Sequence, residues 1–326
     1  MIKKILVIRF SSIGDIVLTS PVVRCLKEQI PGAEIHFVTK AAFREVLEHN
    51  PYLHTLWSFK EDISELYEPL KAEKFDVLID LHHNLRSLRL KQRLGVRSYR
   101  FNKLNIKKFL AVRLKMRNQL PDVHIVDRYL ETVRPLGIKN DGKGLDYFIG
   151  PEAEMDVMSR FFNGVDTRYL ALVIGGSYFT KQIPLVKLQE IVSASPWPVI
   201  LLGGASDKST GLQLTASIPQ KQVFNACGEF SLNQSACILR SAEWVITSDT
   251  GLMHIAAAFH KKIVSVWGNT IPEFGMGVYK PVPESKVLQV EGLSCRPCSK
   301  LGYKKCPEGH FKCMMDQNVQ FIADLK

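Results

Sequence analysis

Short apolar runs alternate with amphipathic stretches from the start of the chain. Ile5 to Ile8, Glu34 to Val38 and Phe75 to Leu81 are rich in β-branched and aromatic residues, which predicts strands. Between them, Ile16 to Ile30 and Phe43 to Glu48 repeat their apolar positions at helical spacing, with Pro21 and Pro31 marking helix edges. A second set opens at Tyr169 to Ile174 and continues through Pro198 to Leu202, Val223 to Ala226, Trp244 to Thr247 and Ile263 to Trp267. Helical segments Leu185 to Ser193 and Leu232 to Arg240 lie between those strands. Parallel neighbours need a long crossover, most often a helix, so this alternation predicts an α/β fold with helices on both faces of parallel sheets. Two such sets predict two doubly wound domains, 1–150 and 151–326. Their boundary falls at Ile149-Gly150-Pro151-Glu152, a polar stretch with a helix-breaking pair. After Pro281 the pattern turns irregular and closes in a predicted short helix, Asp316 to Leu325.

Length supports that division, since 326 residues suffice for two domains that each bury a core. No segment approaches the 18 uninterrupted apolar residues of a membrane span. Lys3-Lys4 precedes only Ile5 to Ile8 before Arg9 intervenes, too short an apolar run for a secretory signal, so a cytoplasmic location is expected.

Charge changes the picture more. The chain has 43 Lys and Arg against 32 Asp and Glu, a net charge of +11, and the excess is local. Arg86, Arg89, Lys91, Arg93, Arg97, Arg100, Lys103, Lys107, Lys108, Arg113, Lys115 and Arg117 follow one another with no acid between. Removing these twelve leaves 31 basic against 32 acidic residues, so the rest of the chain is neutral. A patch of one sign attracts polyanions such as nucleic acid, anionic lipid headgroups or a phosphorylated substrate, and a solvated helix face is the plainer alternative.

Ligands of open parallel sheets bind beyond the carboxyl ends of the strands, so the turns there are the places to look for chemistry. The first is Arg9-Phe10-Ser11-Ser12-Ile13-Gly14-Asp15. It lacks the G-x-G-x-x-G dinucleotide fingerprint. Asp15 would stand in the first turn of the following helix, where the helix dipole keeps a carboxylate ionised and usable as a base; an acid that only complements the dipole is the alternative. In the second set, Gly175-Gly176-Ser177 ends a strand and Thr180-Lys181 follows, assembling backbone N–H groups, a hydroxyl and an ammonium suited to phosphate. Ser248-Asp249-Thr250-Gly251-Leu252-Met253-His254 ends another strand and opens an Ala-rich helix, again aiming N–H donors at an anion. His254 could add a hydrogen bond there or be purely structural. Two phosphate-ready turns opposite one acid fit a nucleotide-sugar transferase.

At this point the motifs resemble a known family. Ile8-Arg9-Phe10-Ser11-Ser12-Ile13-Gly14-Asp15-Ile16-Val17-Leu18-Thr19-Ser20-Pro21 is similar to the N-terminal motif of the heptosyltransferases (glycosyltransferase family 9). Ser248 to Ala258 resembles their donor motif, followed by Val266-Trp267-Gly268-Asn269-Thr270. Asp80-Leu81-His82-His83-Asn84-Leu85-Arg86-Ser87 and the Cys-rich tail are similar too, with His83 standing where the family usually has Gly. The resemblance implies a GT-B architecture, two Rossmann-like doubly wound domains facing a cleft: an N-terminal acceptor-binding domain and a C-terminal nucleotide-sugar-binding domain, with the last helix packing back on the first. It also implies inverting, metal-independent transfer of heptose from an ADP-heptose donor to a phosphorylated, lipid-anchored inner-core lipopolysaccharide acceptor. Carried over, Asp15 is the base. Ser177, Lys181, Asp249, Thr250, Gly251 and His254 hold the donor, with Asp207 a weaker candidate for its ribose. Ser11, Ser12, Gly14 and Arg86 would meet the acceptor, and the basic patch of the first domain would dock acceptor phosphates and the inner membrane leaflet peripherally.

Other readings stay open. The same fold could use another nucleotide sugar, or the 86–117 patch could bind nucleic acid, although no RNA-recognition or helix-turn-helix signature accompanies it. Cys295, Cys298, Cys306 and Cys313 have the spacing C-x2-C-x7-C-x6-C, which could close a structural zinc site; plain reduced or paired cysteines are the alternative, and the resemblance implies that catalysis requires no cofactor.

Overall fold

The computed structural model describes residues 2–326. They divide into two compact units: residues up to Leu104 with Val123–Gly150, and Asn105–Asp122 with Pro151–Lys326.

The first unit is built on five parallel strands, β1 (Lys4–Ile8), β2 (Glu34–Lys40), β3 (Thr55–Phe59), β4 (Val77–Asp80) and β5 (Ser98–Arg100), in the order β3-β2-β1-β4-β5. The second holds six, β6 (Leu170–Val173), β7 (Val199–Leu202), β8 (Val223–Asn225), β9 (Trp244–Ser248), β10 (Lys262–Trp267) and β11 (Lys286–Gln289), in the order β11-β10-β9-β6-β7-β8. Both orders reverse direction beside the first strand of the sheet, between β1 and β4 and between β6 and β9. That reversal leaves a crevice at the carboxyl ends of those strands, where diverging loops cannot cover it.

The central strands are buried on both faces, which explains their unbroken apolar runs. Leu6, Ile8, Val38 and Leu78 pack with Phe10, Phe59 and Leu70 in the first unit. Leu170, Leu172, Leu201, Ile246 and Val264 pack with Leu188, Ile191 and Leu214 in the second.

Three strands escape the periodicity, β3, β5 and β11, and all three are sheet edges or short. Their residues are mostly half-buried or exposed, so packing never imposed an apolar run on them. The long helix expected over Ile16 to Ile30 is two, Ile13–Val17 and Ser20–Gln29, with Pro21 in the first turn of the second, where its missing N–H costs nothing. Phe43 to Glu48 gives way to a 3-10 segment, Ala41–Val46.

Two larger differences concern what packs where. The segment 105–122 lies inside the sequence of the first unit but belongs to the second. Ala111, with Val112 and Leu120, packs on Ile271 and Phe274. Lys115 Nζ donates to the carbonyls of Cys295 and Pro297, both at 2.9 Å, and Arg117 donates to that of Arg296 at 2.5 Å. The basic run is therefore split between the units. At the other end, the predicted helix Asp316 to Leu325 is a helix Lys312–Met315 and a 3-10 turn Gln320–Asp324. Its Val319, Ile322 and Leu325 pack in the core of the second unit.

One polar group anchors the first unit. Arg24 is almost fully buried and pairs with Asp141 at 2.7 Å and with Asp146, while also donating to Gly144 O. It fastens the 141–146 loop to helix Ser20–Gln29, and it holds the Asp141 carboxyl down to about 2.

Candidate functional site

In the first unit the turn after β1 wraps around one carboxylate. Ser12 caps helix Ile13–Val17, and Asp15, three residues in, reaches back to accept from the Ser12 hydroxyl at 2.9 Å and the Ser12 N–H at 3.4 Å. Its other oxygen meets the Arg9 guanidinium at 2.6 Å. Arg9 is itself held in place: it donates to the carbonyls of Ser11 and Leu81, both at 2.7 Å, and to the Tyr129 hydroxyl at 3.1 Å. Burial alone would raise the Asp15 pKa, but the Arg9 charge and the Ser12 hydrogen bonds outweigh it and hold the carboxyl below the ordinary range. Asp15 is thus ionised, oriented and, at 23% side-chain exposure, still reachable.

The neighbouring strand end closes this turn. Asp80, at the end of β4, accepts from the N–H groups of His82 and His83 and from the Ser87 hydroxyl. His83 adopts φ +50°, the left-handed region that favours glycine, so the usual family Gly has a backbone reason here. His82 packs at a tilt against Phe10 with ring centroids 4.7 Å apart, and burial together with Arg9 and Lys103 pushes its pKa down to about 3. It is a neutral imidazole beside the Arg9–Asp15 pair.

In the second unit the crevice between β6 and β9 holds an ion pair. Lys181, after β6, donates to Asp249 Oδ2 at 2.6 Å; Asp249, after β9, also accepts from the Thr270 hydroxyl at 3.3 Å, after β10. Thr250 caps helix Gly251–Ala258, its hydroxyl 3.1 Å from that of Thr247, and Gly251 is the first residue of the helix. His254 is buried in the same helix. An ammonium, hydroxyls and a helix N-terminus are groups able to meet an anion such as a phosphate. Ser177 is exposed on the β6 turn.

Two candidates stand apart from these groupings. Asp207 Oδ2 accepts from the Gly204 N–H at 2.8 Å, and a Cβ at Gly175 would sit 2.5 Å from the same oxygen. Asp207 thus bonds within its own β7 turn and lies close against Gly175 of the β6 turn. Arg86 is exposed on the first turn of helix Leu85–Leu94, and Ser11 and Gly14 line the β1 turn. Sequence reasoning did not single out Arg9, His82 or Thr270. Arg9 stood inside the quoted motif, but only the folded turn reveals its contact with Asp15.

The four C-terminal cysteines all lie in the second unit, and Cys298 donates to the Cys295 carbonyl at 3.2 Å. Burial pushes the Cys298 and Cys313 thiols up to about 11 and about 12. Cys295, Cys298 and Cys306 all act on the Cys313 thiol, so the four cysteines stand near one another in the second unit.

Comparison with known proteins bears on family and fold. The sequence matches glycosyltransferase family 9 (heptosyltransferase) over residues 63–310. It is 26% identical over 300 residues to lipopolysaccharide heptosyltransferase 2 of Salmonella typhimurium, covering 83% of this chain and 84% of that one. It is 25% identical to lipopolysaccharide heptosyltransferase 1 of Pseudomonas aeruginosa over 329 residues, 91% of this chain and 86% of the other. Among solved structures, a family 9 glycosyltransferase from Veillonella parvula superposes with a TM-score of 0.74 at 21% identity, covering 88% and 86% of the two chains. The E. coli ADP-heptose lipopolysaccharide heptosyltransferase II superposes with 0.69 at 20%, covering 91% and 92%. The two doubly wound units are those of the GT-B heptosyltransferases. The chain belongs to glycosyltransferase family 9, the heptosyltransferases.

Proposed function

We propose that this heptosyltransferase moves heptose from an ADP-heptose donor to a phosphorylated inner-core lipopolysaccharide acceptor, inverting the anomeric centre without a catalytic metal. The observation that carries the reading is that the switch point of one unit holds an ionised, oriented Asp15 and that of the other holds Lys181, Asp249 and Thr270. The E. coli relative solved with ADP-2-deoxy-2-fluoro heptose supports the donor class.

In this reading Asp15 takes the proton of the acceptor hydroxyl as its oxygen attacks the anomeric carbon. The bond from that carbon to the diphosphate oxygen breaks, and its electron pair leaves with ADP. One displacement by an external hydroxyl inverts the centre. Arg9 works as a positioning residue: its four contacts fix the Asp15 carboxylate and keep it unprotonated. Lys181 offsets the growing charge on the leaving diphosphate, the task a metal performs in other transferases. The helix starting at Gly251 adds N–H donors, and Asp249 both orients Lys181 and offers a carboxylate to sugar hydroxyls. The seven cations from Arg86 to Lys103 give the first unit an electrostatic draw for a phosphorylated acceptor.

The test is donor turnover by purified protein against ADP-heptose and other ADP-, GDP- and UDP-sugars, with EDTA present. The reading expects ADP-heptose alone to be used, with no loss in EDTA. Preference for another sugar overturns the donor, and abolition by EDTA overturns the role given to Lys181.

A further inference from the structure

The segment 105–122 carries five of the twelve cations of the basic run, yet it packs on the second unit. Its helix Asn105–Arg113 buries Ala111 and leaves Ile106 and Phe109 at 76% and 54% exposure, with Leu114 just beyond at 61%. The loop after the cysteine pair comes alongside. Lys300 Nζ reaches the Asn105 carbonyl at 3.4 Å, and a cavity of about 460 Å³ is walled by Phe109 and Arg113 on one side and Lys300 and Tyr303 on the other. Leu301, next to Lys300, is 62% exposed. Large apolar side chains so exposed along one helix and in the loop that touches its start mark a place where something apolar docks. Around them Lys107, Arg113, Lys300, Lys304 and Lys305 are all exposed, against Glu308 on the cavity wall.

We propose that this surface of the second unit docks on an anionic phospholipid bilayer. Ile106, Phe109 and Leu301 enter the boundary between headgroups and acyl chains, and the surrounding Lys and Arg side chains pair with headgroup phosphates. Charge decides the occupant. A second copy of the same face would bring like charges together, whereas an anionic membrane complements them. Aliphatic Ile106, Leu114 and Leu301 offer nucleic acid neither hydrogen bonds nor stacking faces, but they suit an acyl boundary. No helix is long and apolar enough to cross a membrane, so the contact is peripheral. The purpose of the contact rests on the proposed lipid-borne acceptor; its geometry does not. It places the membrane contact on the donor-binding unit as well as on the first, where the sequence alone had put all of it.

The test uses the full chain and co-sedimentation with vesicles of phosphatidylcholine alone or with about one third phosphatidylglycerol. Binding is expected only with phosphatidylglycerol. The double variant I106S/F109S is expected to lose about tenfold in vesicle affinity with its melting temperature unchanged, because both side chains already face solvent. The charge variant K107E/K300E should lose at least as much. Wild-type protein indifferent to phosphatidylglycerol, or I106S/F109S binding as wild type does, would overturn the proposal. So would tight, salt-steep binding to RNA without vesicle binding. Transfer to a water-soluble, delipidated acceptor is run alongside: it should be the same for I106S/F109S and wild type, and its absence in wild type with vesicle binding intact would sink the acceptor reading alone.

Discussion

At single residues, the chemistry turns on how charges are held. Asp15 is a carboxylate that burial would neutralise and Arg9 keeps ionised. Its pKa is lowered, so the base form is present above the ordinary carboxylate range and is lost only as pH falls below it. Replacing Arg9 by Met removes the cation and leaves the burial. The acid limb of kcat/KM should then move upward, past the ordinary carboxylate range, with a fall in kcat at neutral pH of about tenfold or more as the base loses its orientation. A pH profile with an unmoved acid limb would assign Arg9 a purely structural role. Lys181 gives a separate prediction. In K181A the ammonium proposed to meet the leaving diphosphate is gone, and kcat should fall by about 10²–10³-fold while the fold, followed by circular dichroism, is unchanged. Asp15 and Lys181 were legible as candidates because each chemistry-bearing residue type stood just after a predicted strand. Arg9 and Thr270 were not, because their roles exist only through contacts that the folded turns create.

The fully buried elements were legible, and of the four edge strands only β8, with its Val223-Phe224 start, was. The central strands of both sheets stood out, since two buried faces demand continuous apolar runs, and their observed bounds differ from the expected ones by a residue or two at either end. Edge strands β3, β5 and β11 carry no such demand and gave no signal. The placement of 105–122 was hidden for a different reason: it depends on a long-range contact with Ile271 and Phe274 that no local pattern encodes. Arg24 shows the same limit, a cation inside an amphipathic helix whose two carboxylate partners lie more than a hundred residues away. Substituting Met at Arg24 leaves Asp141 and Asp146 without their cation, one of them in a buried setting that already raises its pKa. That should cost about 3–5 kcal/mol of stability, visible as a lower denaturation midpoint with an unchanged m-value. A loss under about 1 kcal/mol would mean that the 141–146 loop finds other support.

For the whole molecule, two sheets with the same reversal beside their first strand give two crevices of different chemistry. One presents a fixed carboxylate; the other presents an ammonium, hydroxyls and a helix N-terminus. The fold class was readable from alternation, and the division of chemistry from the residues at strand ends. The distribution of charge over the two units was not, because a continuous stretch of sequence is shared between them. The central claim is that Asp15 is the base of a heptosyl transfer. Its most direct measurement is the rate of transfer from ADP-heptose to a delipidated inner-core acceptor by D15N beside wild type, with ADP affinity measured in parallel. The account predicts a rate about 10²–10⁴-fold lower in D15N with ADP affinity unchanged. Transfer by D15N at the wild-type rate would contradict it.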